Sequence, residues 1–74
     1  MMSIAQIRAA RALLNWSQTD LARAASLSEP TVKRFETGGA RVSEGAIAKM
    51  VAALESAGVE FTNGEQPGVR LRKS

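Results

Sequence analysis

The sequence contains no cysteine and no histidine. Lacking cysteine, the chain can form no disulfide, no thiolate metal site and no cysteine nucleophile. Lacking histidine, it has neither the commonest metal ligand nor the usual general base near neutral pH. Asp20 is its only aspartate, and no paired-carboxylate cleft or activated nucleophile is visible among the acidic residues. These absences argue against an enzyme, and no cofactor or metal is expected. Long apolar runs are missing too. The longest candidate, Ala46 to Leu54, is short and carries Lys49, whereas a bilayer span needs ~20 residues. The opening Met1-Met2-Ser3-Ile4-Ala5-Gln6-Ile7-Arg8 has no basic region followed by an apolar one, so it does not read as a secretory signal. The expectation is a cytoplasmic protein with no membrane partner.

Seventy-four residues suffice for one small domain. Without disulfide or metal, a core of that size depends on regular helix packing or on dimerisation. Ile4, Ile7 and Leu14 form one helical stripe between Ser3 and Leu14, and Arg11 falls on the same stripe where an aliphatic residue would be expected. After a break at Asn15-Trp16, Ser17 reads as an N-cap with Asp20 in the capping-box position. Trp16 and Leu21 occupy the staple positions around that cap, and Leu21, Ala22 and Ala25 give the second, short helix its buried face. Ser26-Leu27 is the next break. Ser28 caps a third helix, with Pro30 tolerated in its first turn, and Val32, Phe35 and Glu36 share the inward face. Gly38-Gly39 ends it. Ser43 caps a fourth helix on which Ile47, Met50, Val51 and Leu54 follow i, i+3, i+4, i+7 spacing, and Gly58 stops it.

Beyond Gly58 the period changes. Val59-Glu60-Phe61 and Val69-Arg70-Leu71 alternate as strands do around Asn63-Gly64 and Pro67-Gly68, which predicts a hairpin with Glu60 and Arg70 paired on its wet face. Two strands alone are marginal in water, so the hairpin must pack on the helices or on a second subunit. Residues 1–58 therefore read as the main domain and 59–74 as a hairpin and tail that could serve in dimerisation, with Arg72-Lys73-Ser74 a frayed end.

Two short amphipathic helices joined by about three residues fit a helix-turn-helix. The pattern is Gln18-Thr19-Asp20-Leu21-Ala22-Arg23, then Leu27-Ser28, then Thr31-Val32-Lys33-Arg34-Phe35-Glu36-Thr37-Gly38. In these residues the chain resembles the Cro/repressor-type, XRE-like family over roughly residues 4 to 57. Two positions differ from that pattern: Ser26 stands where the family often has glycine, and the usual fifth helix is replaced by the hairpin. The resemblance implies a mainly α, lambda-repressor-like bundle of four helices with the C-terminal β-hairpin appended.

With residues 32, 35 and 36 inward, Pro30, Lys33, Arg34 and Thr37 face outward at helical spacing, flanked by Glu29 and Thr31. Such a face suits insertion into the major groove. Arg34 is the first choice for a base contact because its planar fork can donate twice to guanine O6 and N7. Lys33 is placed at the edge of the face, nearer to phosphate. The resemblance places Glu29 and Pro30 over bases, and Glu29 can accept from cytosine N4. Gln18 opens the second helix, where a phosphate is favoured, and the resemblance implies that this glutamine holds the DNA backbone. Thr19 adds a hydroxyl. Ser28, Thr31 and Thr37 are expected at phosphates along the edges of the third helix, and Gly39, Arg41 and Ser43 as a second clamp before the fourth. Arg11 and Glu36 are expected instead to bridge the first and third helices, since buried charges need partners; the resemblance implies the same pairing. Trp16 and Phe61 read as core or staple residues rather than stacking platforms, and Arg8 and Arg23 as charges that solvate exposed faces, either of which could approach phosphate.

The net charge of +3 comes from ten basic and seven acidic residues. Residues 1–42 hold six basic and three acidic groups, so the whole excess lies on the portion with the helix-turn-helix. The expected function is a sequence-specific DNA-binding transcriptional regulator, a repressor acting as a homodimer on an inverted-repeat operator in double-stranded DNA, and hence associated with the nucleoid. The alternative is an antitoxin-type interaction module that neutralises a protein partner and regulates its own operon; fold alone does not separate the two.

Overall fold

Four serines start four helices. A computed structural model describes residues 3–38, 42–62 and 68–72. In it the helices are α1 (Ile4–Leu13), α2 (Gln18–Ala24), α3 (Glu29–Thr37) and α4 (Glu44–Ser56). The hydroxyls of Ser3, Ser17, Ser28 and Ser43 accept from the backbone N–H groups of Gln6, Asp20, Thr31 and Ala46, three residues on in each case. Each such cap satisfies an otherwise unpaired amide and contributes about 1 kcal/mol. Ser17 and Asp20 complete the reciprocal capping box expected for α2, and Ser3 with Gln6 forms a second box on α1. The Asp20 carboxyl is held below its ordinary range, chiefly by the backbone N–H of Ser17, then by the Ser17 hydroxyl and the charge of Arg23.

The helices end by two routes. α3 stops at Gly38, whose φ of 71° is left-handed and suits glycine. Gly58, at φ 105°, turns the chain out of α4 into the hairpin. Two further left-handed residues among those described carry side chains: Asn15 at φ 56° after α1, and Ser26 at φ 57° in the turn between α2 and α3. The position that the family pattern gives to glycine thus keeps its left-handed backbone here with serine in place.

The core draws on every helix and on the first strand. Ile7, Leu21, Val32, Met50, Leu54 and Val59 are fully buried, with Ala10, Ala22, Ala25 and Phe35 around them. Ile4, Leu14, Trp16, Ile47, Val51 and Phe61 pack against this cluster while half-buried. Strands β1 (Val59–Thr62) and β2 (Gly68–Leu71) pair antiparallel, with Val59 opposite Leu71 and Phe61 opposite Val69. Both pairs are apolar and share one face. The other face carries Glu60 opposite Arg70, joined by a 2.7 Å ion pair. Of the two placements open to the hairpin, the described chain shows packing on the helices, with β2 lying on α1 and β1 on α4.

Gln6 fixes that arrangement, and nothing in its local sequence announces it. Its side chain is buried on α1, and its amide nitrogen donates to the carbonyls of both Thr62 (3.2 Å) and Gly68 (3.3 Å). Those two residues face one another at the turn end of the hairpin. One buried amide therefore uses both hydrogens to hold both strands against the first helix.

Candidate nucleic-acid interface

The short α2, the turn through Ser26 and Leu27, and α3 form the helix-turn-helix, and the residues on α3 divide sharply. Val32, Phe35 and Glu36 are buried; Glu29, Pro30, Lys33, Arg34 and Thr37 are exposed, and Thr31 is half-buried. The outward face therefore carries a carboxylate at the helix start and two cations in its second half, on a helix held rigidly by its opposite side. The Arg34 side chain has no hydrogen-bond or ion-pair partner among the described residues, and neither does Lys33. Both remain available to a ligand.

Several other expected contact residues are engaged with one another. The Thr19 hydroxyl donates to the Glu29 carboxylate at 2.8 Å, bridging the first turns of α2 and α3. Ser28 spends its hydroxyl oxygen as the α3 cap and lies 2.8 Å from the Thr31 hydroxyl. Thr37 donates to the Arg34 carbonyl at 3.1 Å, within the helix. Ser43 caps α4 on the exposed surface. Gly39 and Arg41, expected to form a clamp with Ser43, lie outside the described residues.

Arg11 and Glu36 meet in a two-pronged bridge. Arg11 Nε donates to Glu36 Oε2 and a terminal nitrogen donates to Oε1, both at 2.8 Å, while the other terminal nitrogen reaches the Trp16 carbonyl at 2.8 Å. The Glu36 side chain is 3% exposed and that of Arg11 21%. Gln18 joins the network, its amide donating to Glu36 Oε1 at 3.1 Å. Burial pushes the Glu36 carboxyl up, but the bonds from Arg11 and Gln18 and the charges of Arg11 and Arg8 outweigh it and hold the group below its ordinary value. Gln18, read from the sequence as a phosphate ligand, thus also ties the start of α2 to α3.

Above this network lies an open polar cleft of about 440 Å³, lined by Arg8, Arg11, Gln18, Glu36 and Thr37. It brings together Gln18 and Thr37, two of the expected phosphate contacts, with Arg8, which the sequence presented as a surface charge able to approach phosphate. The available signal was spacing: Arg8 precedes Arg11 by three residues and so lies on the same side of α1.

A buried three-helix frame with a tight turn and a polar outward helix is the architecture of a DNA-reading domain. The family model for the helix-turn-helix domain matches residues 5–62, and the chain belongs to that family. It is accordingly a DNA-binding protein of the transcription-regulator class. No curated protein matches the chain. No helix among the described residues is long and apolar enough to cross a membrane.

Proposed function

We propose that the protein is a sequence-specific transcriptional regulator, a repressor that binds an inverted-repeat operator as a homodimer with residues 28–37 in the major groove. The observation that carries this reading is the exposed face of α3, where Arg34, Lys33, Glu29 and Pro30 stand opposite buried Val32, Phe35 and Glu36. In this reading Arg34 pairs with guanine and Glu29, steadied by Thr19, accepts from cytosine. Lys33 takes a base or phosphate at the margin. Gln18, Thr19, Ser28, Thr31, Thr37, Gly39, Arg41 and Ser43 supply the surrounding backbone contacts, which set register rather than sequence preference. Dimer half-sites would lie about 34 Å apart, one helical turn of DNA. The protein would act in the cytoplasm, on the nucleoid.

The hairpin is the proposed dimerisation element. Val59 is fully buried in the core, so deleting the segment would damage the monomer as well. A gentler probe is Leu71→Glu, because Leu71 is 46% exposed at the open end of the hairpin's apolar face. Sedimentation should show a dimer for the unaltered protein and dissociation for the variant; a dimer equally stable in both excludes the hairpin.

The test of DNA reading is selection of bound duplexes from random oligonucleotides, followed by gel shifts with Arg34→Ala. The expected result is a recovered palindrome and a loss of about 1–3 kcal/mol at one base position in the variant. Full affinity and unchanged base preference would remove Arg34 from the interface. The antitoxin alternative predicts instead that a co-encoded toxin is captured in a stable complex.

A further inference from the structure

We infer that Arg8 on α1 is a ligand for a DNA backbone phosphate, seated in the cleft it forms with Arg11, Gln18, Glu36 and Thr37. The inference rests on the reading of the protein as a DNA binder and adds to it a subsite on a helix outside the helix-turn-helix. The supporting observation is a surplus of donors. Glu36 is the cleft's single carboxylate, and both its oxygens are already occupied by Arg11 and Gln18. Arg11 has five N–H groups and uses three, two on Glu36 and one on the Trp16 carbonyl. The Gln18 amide has two hydrogens and gives one to Glu36. Arg8 is exposed at the rim, close enough for its charge to act on Glu36. Thr37 directs its hydroxyl hydrogen to the Arg34 carbonyl, so its contact with the DNA backbone requires that hydroxyl to turn from the helix toward the phosphate.

Among the described lining residues the cleft therefore holds two arginines against one carboxylate whose oxygens already accept from Arg11 and Gln18, a net charge of +1, with uncommitted N–H groups on Arg11 and Gln18. A group rich in acceptors and negatively charged completes it. A phosphodiester supplies both, and the cleft is walled by the C-terminal half of α3 and the start of α2, beside the helix proposed to enter the groove. Arg11 and Gln18 are held in place by Glu36, so only Arg8 has to become ordered on binding. Glu36 thus prepares the site without touching the ligand.

The experiment measures binding of the full chain to a labelled mixed-sequence duplex across a salt titration, for the unaltered protein, Arg8→Gln and Lys49→Gln. Phosphate contacts need no cognate site, and Lys49 on α4 removes the same charge away from this cleft. Each lost phosphate contact lowers the slope of log affinity against log salt by about 0.9, so affinity of Arg8→Gln should fall about 3.5-fold less than that of the unaltered protein between about 50 and about 200 mM salt. Lys49→Gln should keep the original slope. Circular dichroism confirms that the exposed substitution leaves the fold intact. An unchanged slope in Arg8→Gln, or an equal fall in both variants, overturns the site while leaving DNA binding in place. Absence of DNA binding by the unaltered protein overturns both.

Discussion

Replacing Glu36 with alanine strands Arg11. The guanidinium loses two charge-assisted hydrogen bonds at 2.8 Å and keeps only the Trp16 carbonyl. Gln18 loses its 3.1 Å acceptor as well. Removing one partner of a buried pair costs ~3–5 kcal/mol, and the 21% exposure of Arg11, which lets water reach it, sets the expectation at the lower end, about 3 kcal/mol. At ~0.05–0.15 kcal/mol per residue, a chain of 74 residues has roughly 4–11 kcal/mol of total stability. The variant should therefore melt roughly 12–24 °C lower, with DNA binding lost as a consequence. Thermal and urea unfolding of the unaltered protein, Glu36→Ala, Arg11→Met and the double variant Arg11→Met/Glu36→Leu separates the pair from its parts. The double variant carries no orphaned charge and should melt above Glu36→Ala. Acid supplies a second readout. Because Glu36 is depressed in the folded state, its contribution is complete above the unfolded value of about 4.5 and disappears as pH falls through the lower folded value. The gap in stability between the unaltered protein and Glu36→Ala should narrow over that interval. A melting temperature within about 2 °C of the original, or a double variant that falls by the sum of the two singles, would refute the bridge as a stabilising unit.

Two further substitutions address the turn and the hairpin. Ser26→Gly relieves a left-handed serine at φ 57° and should raise stability by about 0.5–1 kcal/mol, a few degrees in Tm, since the ~1–2 kcal/mol of backbone strain exceeds the added freedom of the unfolded glycine. Ser26→Ala should bring no such gain, and equal melting of the two variants would show that the strain is absent. Gln6→Leu leaves the Thr62 and Gly68 carbonyls without their donor and should cost about 1–3 kcal/mol. Hydrogen exchange should quicken at Phe61 and Val69 more than at Val32, and uniform protection across all three would contradict the clamp.

The helices were legible because their signals are local. Ser17, Ser28 and Ser43 stand immediately before amphipathic runs, and the cap geometry follows from the spacing of a hydroxyl and an amide three residues apart. The Arg11–Glu36 bridge was legible as well, because a charge on an apolar stripe demands a partner and only one other charge sat on such a stripe. Gln6 was hidden for the opposite reason. Its partners are 56 and 62 residues distant, and they are backbone carbonyls that any residue type could present. Thr19 and Glu29 each read as facing a ligand, and their mutual bond depends on how α2 and α3 meet across the turn, which residue spacing does not encode. Arg8 could not be told from Arg23, a second surface charge able to approach phosphate, because a cleft arises only when three helices converge.

The glutamine clamp also has a consequence for the order of events during synthesis. Translation delivers α1 first, yet its buried amide meets its first acceptor, Thr62, only at the end of β1 and its second, Gly68, at the start of β2. At ~5–20 residues per second that is a wait of several seconds, during which the apolar stripe of the first helix has neither hairpin nor complete core to cover it. The helix-turn-helix lies between the two halves of this contact, and α1, which packs on α3, does not complete its own clamp ahead of the C-terminal strands. Completion of the α1 side of the domain is therefore tied to the arrival of its C-terminal hairpin.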